Sequence, residues 1–477
     1  MDYDFIVIGS GPAGQKAAIQ AAKLGRNVAI IDRQAAVGGV CLHTGTIPSK
    51  TLREAVIYLS GYGQRGLYGQ GYRLKADLTM DDLKQQLNNT IRREVEVLKH
   101  QLTRNGVHVL NGNAEFIDAN TIRVEDYQGE INILRAEKFL ICTGTHPVRP
   151  EGIPFDGKRV IDSDDILQLD KLPHSLTVVG AGVIGIEYAS IFSAMDIEVT
   201  LVDGRQELLG FMDREIVEEL VHLLRERGMV LRLGENVETV ELGDDHVITT
   251  LDTGKRIRSD VVLFAAGRAG STNSLKPEAA GVAQNNRHLI KVNEHYQTNQ
   301  PHIYAAGDII GFPSLASTSM EQGRQAACHA FGCHISDSLE NFPFGIYAVP
   351  EMSMVGMNEQ QLLEKGIPYE TGVAPDGHDL VVITVYDQGG HIKLLEIFGK
   401  VGLGESLDAV EDAFETSLHA LEPERVPQAL GDLGARPVGA IEWYGEIFEE
   451  LGAVGEDIGA DLVKGFHGQA AGISRGF

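Results

Sequence analysis

At 477 residues the chain is too long for one ordinary domain; at roughly 150 residues per domain it divides into about three. Hydrophobic residues make up 43% and charged residues 23%, a balance that excludes a largely disordered chain. The formal charge of -26 excludes nucleic acid and anionic membrane as natural partners, because binding to phosphate needs basic side chains that replace condensed counterions.

About half of the excess negative charge falls in residues 373–477. Four cysteines, Cys41, Cys142, Cys328 and Cys333, form no disulfide framework in a chain of this length and suit a reducing compartment. No apolar run approaches the ~20 residues of a membrane span, and no cleavable leader pattern opens the chain. The expectation is a soluble cytoplasmic protein.

In chain order, residues 4–8 form an apolar run of parallel-strand length, followed by Gly9-Ser10-Gly11-Pro12-Ala13-Gly14 and an Ala-rich helical stretch to Leu24. A second strand over residues 27–31 ends at Asp32. Strand, glycines, helix, strand and acid stand in the order of a dinucleotide-binding βαβ unit. Gly9 makes the tight turn, Gly11 admits a pyrophosphate to the backbone, Gly14 lets helix and strand pack closely, and Asp32 suits a ribose hydroxyl.

The pattern recurs. Residues 176–179 lead into Gly180-Ala181-Gly182-Val183-Ile184-Gly185, a helix over 186–194, and a strand over 198–202 ending at Asp203. Two such units imply two nucleotide cofactors and electron or hydride transfer between them. Asp203 favours a free ribose 2′-hydroxyl, as in NAD(H), while Arg205 suits the 2′-phosphate of NADP(H). Carrying both points to tolerance of both nucleotides, with a solvated loop cation as the alternative reading of Arg205.

Between the two units lies Val37-Gly38-Gly39-Val40-Cys41-Leu42-His43-Thr44-Gly45-Thr46-Ile47-Pro48-Ser49-Lys50. This resembles the redox segment of the flavoprotein disulfide reductases of the pyridine nucleotide-disulfide oxidoreductase family, GGxCxxxGCxPSK, with one departure. Thr46 stands where the second, flavin-proximal cysteine belongs, so the dithiol route is closed and electrons must leave from the flavin itself. The Gly-Thr-Ile-Pro-Ser-Lys variant, together with the segments at 181–192, 307–317 and 344–351, is similar to the transhydrogenase branch of that family. The resemblance spans about residues 1–372.

It implies an α/β fold with two Rossmann-like dinucleotide-binding domains and an α+β interface-like domain at the C-terminus. The implied boundaries are 1–150 and 274–342 for an FAD-binding domain in two parts, 151–273 for an NAD(P)-binding domain, and 343–477 for the interface-like domain. The resemblance assigns Gly9, Gly11, Gly14, Asp32, Arg33, Gly38, Gly39, Cys41, Thr46, Thr143, Gly144, Gly307 and Asp308 to FAD. It assigns Gly180, Gly182, Gly185, Asp203, Arg205, Gly267 and Arg268 to the nicotinamide-nucleotide side. Lys50 matches a lysine beside flavin N5 and Glu187 the glutamate that pairs with it, the two residues expected to serve catalysis. No metal is expected: Cys328 and Cys333, with His329 and His334 beside them, lie on a helix-like stretch that sets neighbours on different faces.

The implied activity is reversible, ping-pong hydride transfer from NADPH through FAD to NAD⁺. The alternatives are an NAD(P)H-dependent flavin reductase or diaphorase, and a non-catalytic FAD/NAD-binding redox sensor. The family implies a homodimer or higher homo-oligomer, but the likeness fades after about residue 373 and leaves that interface open. Strands at 380–386 and 392–398 around Gly389-Gly390 still alternate like a hairpin, and amphipathic helical patterns follow at 407–421 and 441–451, the latter with Trp443.

Overall fold

The computed structural model describes residues 2–69, 71–75, 77–333, 342–376, 379–388 and 391–399. The helical patterns expected at 407–421 and 441–451, and the Gly389-Gly390 join, lie outside the described residues. Among the described residues the chain divides into two compact units, 1–356 with 398–399, and 357–397.

In the first unit, β1 (Tyr3–Ile8) buries Phe5, Ile6 and Val7 completely, as a strand covered on both faces must. It turns into α1 (Pro12–Lys23), where Pro12 presets the first helical φ, and β2 (Val28–Asp32) returns parallel, in register from Phe5 with Val28 to Ile8 with Ile31. Two helices that carry the redox-like segment follow, α2 (Gly39–His43) and α3 (Thr46–Leu59). After the short α4 (Arg65–Tyr68), α5 (Met80–Arg104) opens with a capping box between Thr79 and Asp82 and leads to β3 (His108–Asn111), which extends the sheet beyond β2.

β4 (Asn113–Asp118) and β5 (Thr121–Glu125) pair antiparallel and deliver β6 (Ile131–Ile141), whose second half runs parallel to β1. The two-stranded crossing uses β7 (Thr145–Pro147). A second sheet is then built from β8 (Val160–Asp162), β9 (Ser175–Val179), α6 (Val183–Ala194), β10 (Glu198–Asp203), α7 (Arg214–Glu226) and β11 (Val230–Leu233). An antiparallel trio, β12 (Val237–Leu242), β13 (Val247–Leu251) and β14 (Arg256–Ser259), precedes β15 (Val261–Phe264). The strand order is 11-10-9-15-8, all parallel.

The chain recrosses on β16 (Arg268–Gly270), antiparallel to β7. It then adds β17 (Ile303–Ala305) to the first sheet beside β6, so that sheet has the parallel core order 3-2-1-6-17. α8 (Ala316–Phe331) packs along α1 so closely that a Cβ on Gly323 would lie 2.0 Å from the Ala13 carbonyl oxygen. One apolar layer, including Phe5, Ala17, Ala18, Leu140, Ala326 and Ala327, fills the α1–α8 side of the sheet; another, including Ile6, Phe116, Ile122, Phe139 and Ile290, fills the opposite side. The unit ends with the antiparallel β18 (Pro343–Ile346) and β19 (Met352–Val355).

The second unit contains α9 (Glu359–Lys365), capped by Asn358 and Gln361, then β20 (Tyr369–Asp376), β21 (Asp379–Gln388) and β22 (His391–Gly399). β20 and β21 pair antiparallel, and β21 and β22 cover the alternating segments expected as a hairpin. The sequence reading is corrected in two places. α6 begins at Val183 rather than residue 186, because Gly182 is already its N-cap. α8 stops at Phe331, where left-handed Gly332 ends it, so Cys333 lies beyond the helix rather than on it.

Candidate functional site

The two βαβ units repeat one geometry. Gly9 has φ 107° and Gly180 φ 104°; a Cβ on either would lie 2.2 or 2.4 Å from a carbonyl oxygen, of Cys142 and of Ala265 respectively. A Cβ on Gly14 would meet the Gly9 carbonyl at 2.0 Å, and one on Gly185 the Gly180 carbonyl at 1.8 Å, so both helices touch their own turn. Gly11 and Gly182 are the opposite case, with nothing within 4 Å of the added carbon. Each is also the N-cap of its helix and supplies no capping side chain, unlike Thr79 and Asn358. The first N–H groups of α1 and α6 therefore stand beside open space, which is the form of a phosphate site.

The acid at the end of each second strand holds its own glycine turn. Asp32 Oδ2 accepts the Ser10 N–H at 2.8 Å and the Ser10 hydroxyl, and Oδ1 accepts the Gln34 N–H at 2.8 Å. Ser10 Oγ in turn accepts the Gly38 N–H at 3.0 Å, which ties the redox-like segment to the turn. In the second unit Asp203 Oδ2 accepts the Ala181 N–H at 2.6 Å and Oδ1 the Arg205 N–H at 2.8 Å. Here the Arg205 guanidinium adds a fork, Nε to Oδ1 at 2.9 Å and an η-nitrogen to Oδ2 at 2.8 Å, while remaining 60% exposed. Burial pushes the Asp203 carboxyl up, but the Arg205 guanidinium and the two backbone N–H groups outweigh it and hold it below the usual range.

Gly38 and Gly39, at φ 125° and 61°, bend the chain back so that a Cβ on Gly39 would lie 2.8 Å from the Gly11 Cα. α2 carries Cys41, whose thiol is pushed up to about 11 chiefly by burial, with the Thr46 side chain opposing the rise. All four cysteines are free. A thiol held so far above neutrality beside a hydroxyl that cannot be oxidised to a disulfide is poorly suited to thiolate chemistry.

One turn further, Lys50 Nζ donates to both oxygens of Glu187 on α6, at 2.9 and 3.1 Å. Glu187 is buried, and its Oε1 also accepts the Tyr347 N–H at 2.9 Å; the Lys50 ammonium lies 4.5 Å from the Tyr347 ring centroid. The Tyr347 backbone is seated by its neighbours. Arg53 Nε donates to the Ala348 carbonyl at 2.8 Å, Val349 N–H donates to Ser190 Oγ at 2.9 Å, and Arg227 donates to the Val349 carbonyl.

Where β6 and β17 end, a third group gathers. Thr143 Oγ1 is buried with no hydrogen-bond partner, and Gly144, at φ 63°, faces open space. Asp308 is enclosed; burial raises its carboxyl while Arg268 and the Thr145 hydroxyl, 3.5 Å away, oppose the rise. Arg268 donates to Thr145 Oγ1 and to the Thr145 carbonyl, each at 2.9 Å, and lies 3.4 Å from Asp164. The Gly307 N–H donates to Gln322 Oε1 at 2.9 Å.

The expected residues thus fall into local sets: Gly9, Gly11 and Gly14 with Gly39; Lys50 with Glu187; Arg205 with Asp203; and Asp308 with Arg268 through Thr145. Arg33 is exposed, and its carbonyl accepts the Tyr127 hydroxyl. A Cβ on Gly267, at φ 102°, would lie 3.3 Å from the Arg287 guanidinium. Ser10, Thr145, Gln322 and Tyr347 were not anticipated. The one local signal that could mark Ser10 is its hydroxyl inside the first glycine turn; nothing local marks Tyr347. Among the described residues no His, Cys, Asp and Glu cluster suits a metal, and no helix is long and apolar enough to cross a membrane.

Paired βαβ units on parallel sheets, with a lysine–glutamate pair joining α3 to α6, define a two-nucleotide oxidoreductase. Residues 3–323 match the family described as pyridine nucleotide-disulphide oxidoreductase, and the chain belongs to that family, whose members use FAD and NAD(P)H. It is 51% identical over 374 residues to the soluble pyridine nucleotide transhydrogenase of Mycobacterium tuberculosis, covering 78% of this chain and 80% of that one. The protein of the same name from Colwellia psychrerythraea is 44% identical over 378 residues, 79% and 81% of the two chains. Among solved structures, the HOCl-induced flavoprotein disulfide reductase RclA from Escherichia coli aligns with TM-score 0.72 at 27% identity over 83% of this chain and 89% of its own. LpdA from Mycobacterium tuberculosis aligns with TM-score 0.77 at 24% identity, covering 89% and 97%, a likeness of fold.

Proposed function

We propose that the protein is an FAD-dependent transhydrogenase that moves hydride reversibly from NADPH to NAD⁺ in a ping-pong cycle. The observation that carries this reading is Lys50 paired with Glu187 on a segment where Thr46, not a cysteine, lies against Cys41. A site equipped for flavin chemistry but without a dithiol passes electrons on from the flavin itself, and the relatives that match over more than three quarters of the chain carry the transhydrogenase name.

The residues fit the cofactor on their own evidence: an unpartnered buried Thr143 hydroxyl, an open Gly11 and an enclosed Asp308. In this reading residues 1–150 and 274–342 hold FAD. Gly9, Gly11, Gly14, Gly38, Gly39 and the start of α1 take the pyrophosphate, Asp32 and Arg33 stand at the adenosine end, Thr143, Gly144, Gly307 and Asp308 take the ribityl side, and Cys41 and Thr46 line the ring. Residues 151–273 hold the nicotinamide nucleotide through Gly180, Gly182, Gly185, Asp203 and Arg205, with Gly267 and Arg268 at the crossing back. Bound FAD supplies a ring position that accepts hydride from one nicotinamide and gives it to the next. Lys50 keeps a positive charge at that position, and Glu187 prevents the ammonium from standing uncompensated. Such hydride transfer needs no general base, so the task of the chain is orientation.

The same reading places the protein in the cytoplasm and takes residues 343–477 as the basis of a homo-oligomer, which light scattering of the purified protein tests. The activity is tested under anaerobic conditions. NADPH should bleach the bound flavin band and NAD⁺ should restore it, with reduction of a thionicotinamide NAD analogue outpacing that of a quinone. Bleaching without restoration by NAD⁺ would overturn the transhydrogenase reading in favour of a diaphorase.

A further inference from the structure

Away from the nucleotide units, the end of α8 brings two thiols together. Gly332, at φ 71°, closes the helix in a Schellman turn: the Cys333 N–H donates to the Cys328 carbonyl at 2.9 Å and the Gly332 N–H to the His329 carbonyl at 3.4 Å. This cap sets the side chains of its first and last residues against each other, a position usually filled by an apolar contact. Here both residues are cysteines, close enough that the Cys333 thiol acts on that of Cys328. Cys328 is 1% exposed and Cys333 is partly exposed. Arg324, one turn back and forked onto Glu321, points an η-nitrogen at Cys328 Sγ from 3.8 Å.

From this geometry we infer that Cys328 and Cys333 form a reversible intrachain disulfide when the protein meets a hydroperoxide. Cys333 is the side that solvent reaches. Its sulfur attacks the peroxide, the O–O bond breaks, and a sulfenic acid and one water result. The Cys328 sulfur then displaces the sulfenic oxygen: an S–S bond forms, the S–O bond breaks, and the oxygen leaves as a second water with the Cys328 proton. Two thiols lose two electrons and one hydrogen peroxide becomes two waters. The order follows from exposure, since buried Cys328 leaves the first attack to partly exposed Cys333, while the Arg324 guanidinium, 3.8 Å from the Cys328 sulfur, steadies its thiolate at the second step.

The Schellman bonds already fix the separation of the two backbones, so ring closure asks little rearrangement of α8. The tight Gly323–Ala13 contact lies more than a turn away. The inference does not depend on the transhydrogenase reading.

The test uses the full-length flavoprotein, reduced, freed of reductant, treated with a small excess of hydrogen peroxide, and alkylated with N-ethylmaleimide after denaturation. Both cysteines fall in the tryptic peptide 325–365. That peptide should lose two hydrogens and take up no maleimide, and a phosphine reductant should restore both sites. Cys41→Ser should leave the change intact, Cys333→Ser should abolish it, and Cys328→Ser should leave Cys333 as a dimedone-reactive sulfenic acid. If Cys328 and Cys333 remain alkylatable while other thiols react, or if Cys333 pairs with Cys41 or with a second chain, the inference fails. The wild-type peptide decides the matter even if a variant does not fold.

Discussion

Lys50 on α3 and Glu187 on α6 are 137 residues apart in the chain, yet the ammonium meets both carboxylate oxygens, at 2.9 and 3.1 Å. The pair joins α3, which carries the end of the redox-like segment, to α6 of the second βαβ motif. Glu187 is further engaged by the Tyr347 N–H, so the carboxylate cannot turn away without abandoning two donors.

Removing the carboxylate should therefore harm chemistry more than folding. Glu187→Gln keeps an acceptor for the Tyr347 N–H but leaves the Lys50 charge uncompensated. It should slow anaerobic flavin bleaching by NADPH at least tenfold in single-turnover measurements, with the cofactor retained. Glu187→Leu also strands the Tyr347 N–H and should cost an additional ~1–3 kcal/mol in urea unfolding. Equal bleaching rates in wild type and Glu187→Gln would count against a role for the pair.

Tyr347 covers the same ammonium from 4.5 Å. Replacing it with Phe should preserve the reductive rate, and Leu should lower it by several-fold, in line with ~0.5–1 kcal/mol for an aromatic face over a partly exposed cation. In a Lys50→Met background the Leu substitution should have no further effect, and an unchanged loss there would show that Tyr347 acts only by packing.

In the proposed reading the Arg205 fork on Asp203 governs nucleotide preference. With the guanidinium in place the Asp203 charge is largely compensated, so a 2′-phosphate meets little repulsion. Arg205→Ala should weaken NADPH binding about tenfold or more, roughly 1.4 kcal/mol, and leave NADH within about twofold. Titration of the bound flavin's fluorescence with each nucleotide measures both.

The glycines separate fold from binding. Gly14→Ala and Gly185→Ala force a methyl to within 2.0 and 1.8 Å of a carbonyl oxygen and should destabilise the protein by ~1–3 kcal/mol or more. Gly11→Ala meets open space, so thermal unfolding of the flavin-free protein should stay unchanged while flavin content falls. A Gly11→Ala protein that retains full flavin would refute the phosphate role of that turn.

Asp308 has a raised carboxyl because burial disfavours its charge. A raised acid binds more protons folded than unfolded, so flavin-free protein loses stability as pH climbs from the unfolded carboxylate range through the folded value. The loss approaches ~1.4 kcal/mol for each unit of displacement. Asp308→Asn should flatten that decline in urea unfolding measured from pH 4 to 8; the same slope in both proteins would place the pH dependence elsewhere.

The local pattern of the chain determined the two nucleotide units, since glycine spacing, strand periodicity and a terminal acid all lie within about 30 residues and each follows from backbone sterics. The missing dithiol was equally local, as Thr46 sits five residues from Cys41. The tertiary structure alone decided which side chains answer one another. Nothing near Tyr347 in sequence announces that its ring covers Lys50, and nothing near Arg205 says that its guanidinium forks onto Asp203 rather than standing free in solvent. Nor could a helical pattern over 328–333 reveal that Gly332 breaks the helix and turns Cys333 back onto Cys328. Such pairings depend on how packed elements converge, and the energy that selects them comes from burial and charge compensation rather than from the order of residues.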